Sequence, residues 1–251
     1  MLVAMGLAAS RTQARALIEA GAVQLRSVSG FETLRKPSAE IAHDAEIVID
    51  EGARPRHVSR GGLKLEGALA AAGIDPSGMV CLDLGQSTGG FTDCLLQAGA
   101  ARVVGIDVGH GQLHPSLGGD RRVLAFEGIN VRALTAPEYG SPSAFRAAVP
   151  PGGFDLVVAD LSFISLAHAL APAAALLRPG GTLLALVKPQ FEVGPGGVDS
   201  RGIVRNERSY AEIRERIERA ARQAGLVPRG WHESPLRGGD GNREFFLHAV
   251  K

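Results

Sequence analysis

The chain has 251 residues, 45% of them hydrophobic, which is normal for a globular protein and enough for one full α/β domain plus a small appendage. Charge is balanced, with 27 Lys and Arg against 26 Asp and Glu, so no whole-chain excess marks a nucleic-acid binder and local clusters must decide. Two cysteines, Cys81 and Cys94, make neither a disulfide framework nor a metal site and point to a cytoplasmic setting. With only 5% aromatic residues, any grip on nucleic acid is expected to rest on charge and backbone shape more than on rings.

The opening MLVAMGLAAS is apolar but too short to span a bilayer, and no later apolar run reaches membrane length, so no membrane partner is expected. Residues 10 to 21, SRTQARALIEAG, read as a helix. Ser10 is its N-cap, Ala14, Leu17 and Ile18 share a face, and Gly21 is its C-cap. Two short β-like runs follow, Ala22 to Leu25 and Glu46 to Ile49, so the first fifty residues make a small α+β unit. A shift from acidic to basic residues, together with Pro55, sets a boundary near Glu51 to Pro55. The acid-free run from Ala53 to Lys64 holds Arg54, Arg56, His57 and Arg60. Residues 54 to 63 are assigned to a basic linker after an N-terminal module of residues 1 to 53.

From Met79 the pattern changes. MVCLDL, ARVVGID, RRVLAFE, FDLVVAD and GTLLALVK are continuous apolar runs, expected to be buried on both faces of a parallel sheet. Helices are expected between them, near Gly89 to Ala98, Ser165 to Leu177 and Glu207 to Ala224. Leu226 to Glu233 and Glu244 to Val250 should close the chain as a strand pair, with the last strand antiparallel. The fold class is therefore α/β, a doubly wound sheet over residues 64 to 251. The glycine-rich PQFEVGPGGVDSRGIV, Pro189 to Val204, is long for a structureless loop and reads as a lid or binding loop.

The first sheet strand ends in DLGQSTGGF, Asp83 to Phe91, before a helix. Gly85, Gly89 and Gly90 permit a sharp turn and close approach of a ligand to helix N-terminal amides. Ser87 stands where a dinucleotide fingerprint has its second glycine, so methyltransferases match better, with Asp83 near the methionine end of the cofactor. Asp107, ending the second strand, is placed to accept adenosine ribose hydroxyls. Asn130, after the third, lies where adenine is recognised, or serves only as a strand-end polar group. Asp160 and Lys188 end the fourth and fifth strands. A lysine there is costly unless it is used or paired. Desolvation and a nearby cation, supplied by Lys64, favour a neutral amine, while a carboxylate, Asp160, orients it. Glu244, opening the last strand, is positioned to pair with either lysine or to orient substrate.

These residues carry a resemblance. SRGGLKLEGAL, DLGQSTGGF, GIDVGHGQL, DLVVADLSFISL, LVKPQFEVG and SPLRGGDGNREFF resemble, in order from Val58 to the end, the TlyA-type, hemolysin-named rRNA methyltransferases, whose main domain is similar to the FtsJ class. The resemblance implies a Rossmann-like class I methyltransferase fold and S-adenosylmethionine as cofactor, contacted by Asp83, Gly85, Ser87, Gly89, Gly90, Phe91, Asp107, Asn130 and Asp160. It implies a Lys64, Asp160, Lys188, Glu244 tetrad with Lys188 as general base, and cytidine 2′-O-methylation in ribosomal RNA. SRTQARALIEAGAVQL resembles an S-four-type RNA-binding module facing RNA through Ser10, Arg11 and Arg15, with Arg54, Arg56 and Arg60 as further RNA contacts. The opening helix of that module normally carries an arginine and an aspartate that are missing here, so a truncated or a short form is expected. Gln86 stands where the family has a small residue and is expected to crowd the methionine end. Ribosomal RNA is the expected partner of a monomer without metal. A membrane-acting cytolysin, a non-catalytic ribosome-assembly protein and a nicotinamide dehydrogenase are the competing readings.

Overall fold

The computed structural model describes every residue except 9–10, 28–29, 43–44, 51–55, 135–141 and 195, with residues 12, 13, 16 and 27 described in backbone only. The chain divides into Met1–Ser59 and Arg60–Lys251.

In the first unit, helix α1 (Arg11–Glu19) precedes strands β1 (Val23–Ser27), β2 (Gly30–Thr33) and β3 (Ile47–Ile49), which form an antiparallel sheet in the order β2-β1-β3. The helix stops where expected. Gly21 has φ 74°, its N–H reaches the Ile18 carbonyl, and the Ala22 N–H reaches that of Leu17, a Schellman closure. The expected Ser10 cap lies outside the described residues. Leu17, Ile18, Ala22, Val23 and Ile47 are buried together with Leu2 and Ala8. Strand β2, GFET, is not foreseeable from the sequence pattern. Its first three residues are exposed, so no apolar alternation advertises it.

The second unit opens with α2 (Arg60–Ala72). There follow β4 (Val80–Leu84), α3 (Gly90–Gln97), β5 (Arg102–Ile106), α4 (Pro115–Gly118), β6 (Val123–Phe126) and α5 (Ser143–Ala148). The chain continues through β7 (Phe154–Ala159), α6 (Ala167–Leu176), β8 (Leu177–Val187), α7 (Glu207–Gln223), β9 (Val227–Glu233) and β10 (Phe245–Val250). The seven strands lie in the order β6-β5-β4-β7-β8-β10-β9, with β4 to β8 mutually parallel and β10 antiparallel to both neighbours, as expected. Adjacent residues of β10 point to opposite faces. Phe246 stacks on Phe91 of α3, whereas Phe245 packs on Tyr210 of α7 and Trp231, so helices cover both sides.

Two expectations need correction. Burial on both faces holds for β4, β5, β7 and β8 but fails for β6, where Leu124 and Ala125 are exposed because the strand forms the edge of the sheet. The basic segment is not linker throughout, because Arg60 to Leu63 form the first turn of α2. Two glycines and an arginine at that turn hide a helix whose later residues, Leu65, Ala68 and Leu69, are buried at helical spacing.

Candidate active site

Parallel strands deliver their carboxyl ends to one edge of the sheet, where ligands bind in open α/β folds. At the end of β4 the chain turns at Gly85, φ 83°, where a Cβ would lie 2.5 Å from the Asp160 carbonyl oxygen. Only glycine lets the ends of β4 and β7 meet so closely. The turn continues through Ser87, φ 45°, to Gly89, φ 89°, which caps α3 and leaves Gly90 as its first residue. Asp107 folds around this turn. One carboxylate oxygen accepts the Ser87 N–H at 2.8 Å and the other the Gly109 N–H at 2.7 Å. Asn130 caps a 3-10 turn over Val131–Ala133, accepting the Arg132 N–H.

Beneath the turn, Asp83 is fully buried. Gln86 donates to Thr92 Oγ1 at 2.9 Å, and Thr92 donates to Asp83 Oδ2 at 2.7 Å. Gln86 thus turns inward, over Gly105, where a Cβ would lie 2.1 Å from its Cδ; the expected crowding of a ligand gives way to a role under the loop. The other Asp83 oxygen, Oδ1, is buried without a hydrogen-bond partner among the described residues. Burial is the largest cause raising the Asp83 acid to about 7, opposed by the Thr92 hydrogen bond. A carboxyl raised this way stays protonated in the folded chain while its unfolded counterpart ionises above pH 4. Stability should therefore fall as pH rises from 4 to 7, by on the order of 4 kcal/mol, and level off above. Asp83→Asn is expected to abolish that slope. Urea midpoints of the cofactor-free protein at pH 5 and pH 8 measure it, and a variant as pH-sensitive as the parent would refute the assignment.

The four ionisable residues singled out in the sequence form two pairs. Lys64, on α2, donates to Glu244 Oε2 at 2.5 Å, and both side chains are buried. Gly238 leaves the room, since a Cβ there would lie 2.6 Å from Glu244 Oε1. Lys188 Nζ lies 2.6 Å from Asp160 Oδ1 and donates to Ser162 Oγ at 2.8 Å. The pairs adjoin the same end of one ladder: Phe245 of β10 faces Val187 of β8, and Glu244 and Lys188 are the next residues of the two chains beyond it.

The profile of the FtsJ-like methyltransferases matches residues 57–251, which include all four side chains. The chain belongs to the FtsJ-like methyltransferase family. It is 42% identical over 246 residues to the 16S/23S rRNA (cytidine-2′-O)-methyltransferase TlyA of Mycobacterium tuberculosis, covering 98% of this chain and 86% of that one. It is 34% identical over 253 residues to Hemolysin A of Brachyspira hyodysenteriae, covering 98% and 95%. A solved structure named as a hemolysin from Streptococcus thermophilus superposes with a TM-score of 0.74 at 39% identity, over 100% of this chain and 86% of that one.

In this FtsJ-like methyltransferase, Phe91 lies in the core, 3% exposed with its ring 6.0 Å from that of Phe246, because it faces the sheet from α3. The side chain of Phe91, one of the expected cofactor contacts, therefore faces the core, while its backbone stays beside the turn. Phe163 is an exposed aromatic just beyond the end of β7 that sequence reasoning does not single out. It is 87% exposed with φ 65°, three residues beyond Asp160, and its ring lies 5.2 Å from that of Phe191. The low aromatic content conceals it; the signal in the sequence is an aromatic directly after a strand-end carboxylate. Of the expected RNA contacts, Arg11, Arg15, Arg56 and Arg60 are exposed, Arg15 in an ion pair with Glu19, while Ser10 and Arg54 lie outside the described residues. The Pro189 to Val204 segment is anchored at both ends, by a 3-10 turn at Pro189–Phe191 and by Val204, whose N–H the buried Asn242 side chain accepts. A cavity of about 450 Å³ between this segment and α7 is lined by Glu192, Val193, Glu212 and Arg216, and none of the four paired residues lines it.

Proposed function

We propose that this FtsJ-like methyltransferase transfers a methyl group from S-adenosylmethionine to a ribose 2′-hydroxyl of ribosomal RNA, cytidine being the expected nucleoside. The observation that carries the reading is the lysine–carboxylate pair at the ends of β7 and β8, set beside a second such pair and next to a glycine turn. The substrate class is that named for the Mycobacterium tuberculosis relative.

The donor set fits the cofactor. Asp83 offers a buried, unpartnered acceptor beside the turn, suited to an ammonium group. Gly85, Ser87, Gly89 and Gly90 present backbone rather than bulk. Asp107 keeps lone pairs for ribose hydroxyls, and Asn130 is the residue we assign to the adenine. S-adenosylmethionine supplies an electrophilic methyl on sulfur. The protein must then bring a hydroxyl into line and take its proton. Lys188, once its ammonium has given a proton to solvent, takes the hydroxyl proton as a neutral amine oriented by Asp160 and Ser162, while the Lys64–Glu244 pair borders the sugar. The N-terminal unit, residues 1 to 53, serves as an RNA-binding module through Arg11 and its helix. Among the described residues no helix is long and apolar enough to cross a membrane.

The test is to incubate purified protein with methyl-labelled cofactor and ribosomal subunits, then map ribose methylation. Label on bases alone, or none on RNA, would end the proposal. A further expectation concerns Phe163, an exposed ring held in a strained left-handed backbone. Stacking on a base contributes about 1–3 kcal/mol, so Phe163→Gly should lower RNA methylation roughly 10- to 100-fold. The same change relieves the backbone, so the melting temperature should hold or rise. Unchanged methylation would deny the ring a part in binding.

A further inference from the structure

Arginines of the larger unit differ in what holds them. Arg122, Arg178, Arg214 and Arg222 are bound to carboxylates, as is Arg243, which pairs with Glu207 and Glu233. Those pairs offset much of the charge. Arg60 and Arg237 instead donate to backbone carbonyls, Arg60 to that of Arg237 and Arg237 to that of Gly241. A neutral carbonyl orients a guanidinium without neutralising it, so these exposed side chains keep most of their charge, Arg237 also lying within electrostatic reach of Glu233.

Two loops bring more charge to the same place. The buried Asn242 accepts the Val204 N–H and donates to the Gly202 carbonyl, tying the 199–205 loop to the 234–243 loop. Asp199 shapes the first of these. It accepts the N–H groups of Arg201 and Ile203 and the guanidinium of Arg205, and these bonds hold its carboxyl down at about 2. The backbone of Arg201 is therefore held in place with its side chain exposed, while Arg205, ion-paired to Asp199 through Nε at 2.9 Å, stays exposed with its outer guanidinium N–H groups open to an anion. The second loop ends at Glu244, and Arg60 precedes Lys64 by one helical turn, about 5.4 Å. This cationic strip thus begins a turn away from the catalytic pairs.

We infer that Arg60, Arg237, Arg201 and Arg205 form a phosphate rail that holds the RNA strand next to the modified nucleotide, on the Glu244 side of the site. The inference rests on the reading of RNA as substrate. Guanidiniums suit phosphate oxygens through paired N–H donors, and phosphate contacts fix register without reading sequence. The rail belongs wholly to the methyltransferase unit, so it would position RNA whatever the N-terminal unit contributes.

Binding of purified ribosomal RNA across a salt series tests it. Removing one arginine–phosphate interaction lowers the slope of log affinity against log salt by about 0.7 to 0.9. The Arg201→Ala, Arg205→Ala, Arg237→Ala triple variant should therefore have a slope shallower by about 2 and bind roughly tenfold or more weakly at physiological salt. Cofactor affinity should stay unchanged, and the corresponding triple lysine variant should recover much of the binding. Arg201→Glu, on an exposed loop, gives an independent measure if the triple variant folds poorly, and it should weaken binding as well. Wild-type affinity and slope in these variants would overturn the rail while leaving methyl transfer intact. A parent protein that binds RNA with a steep slope, which flattens in the triple variant, yet transfers no methyl would instead sink the enzymatic reading and keep the rail.

Discussion

Lys188→Ala is expected to slow methyl transfer about 100- to 10,000-fold, the range of a lost general base, with cofactor and RNA binding largely kept. The expectation follows from where the amine sits. Strand β8 ends at Val187, so Lys188 leaves the sheet at its carboxyl edge, and its two neighbours, Asp160 and Ser162, both come from the end of β7. They fix the nitrogen without capping it, since an amine has more bonding positions than these two partners use. Lys188→Arg is the sharper test. A guanidinium keeps the charge beside Asp160 but cannot give up a proton at any working pH, so this variant should be folded and inactive. Single-turnover measurements separate the chemical step from release. Wild-type turnover in Lys188→Arg would remove Lys188 from the base role.

Lys64→Met should be the most destabilising of these substitutions. Glu244 is 2% exposed and Lys64 is its ion-pair partner, so removing the lysine leaves a buried acid without that partner. Breaking a buried ion pair from one side costs about 3–5 kcal/mol, equivalent to a fall of roughly 6–20 °C in melting temperature for a domain of this size. Adding Glu244→Leu should restore much of that stability, because two apolar side chains tolerate burial where one charge does not. It should not restore activity. Thermal melts of the single and double variants, alongside methylation assays, distinguish a pair needed only for folding from one that also borders the substrate. An active double variant would assign the pair to folding alone.

The sheet is legible in the sequence because central parallel strands are apolar throughout, and VCLDL, RVVGI and FDLVVA announce themselves without alternation. Strand β6 reads the same way in sequence yet sits at the edge, and nothing local distinguishes an edge from a centre. Helix α2 is obscured by Arg-Gly-Gly at its start, where helix propensity is poor and packing of Leu65, Ala68 and Leu69 supplies the stability instead. In the site, the acidic and basic residues are visible as expensive groups at strand ends. Their partnership is not. Whether Glu244 answers Lys64 or Lys188 depends on the antiparallel register of β10 against β8, a property of two segments far apart in the chain. The exposure of Phe163 depends on a left-handed backbone that phenylalanine rarely adopts, and the inward turn of Gln86 depends on the missing side chain at Gly105.

The ion pair between Lys64 and Glu244 joins residues 180 positions apart, the first helix of the larger unit to its last strand. Closing so large a loop is slow relative to local pairing, and it cannot happen before β10 has slotted between β8 and β9. Until then Lys64 lacks the carboxylate it pairs with in the finished fold. A chain that has not yet placed its last strand therefore lacks one of the two lysine–carboxylate pairs.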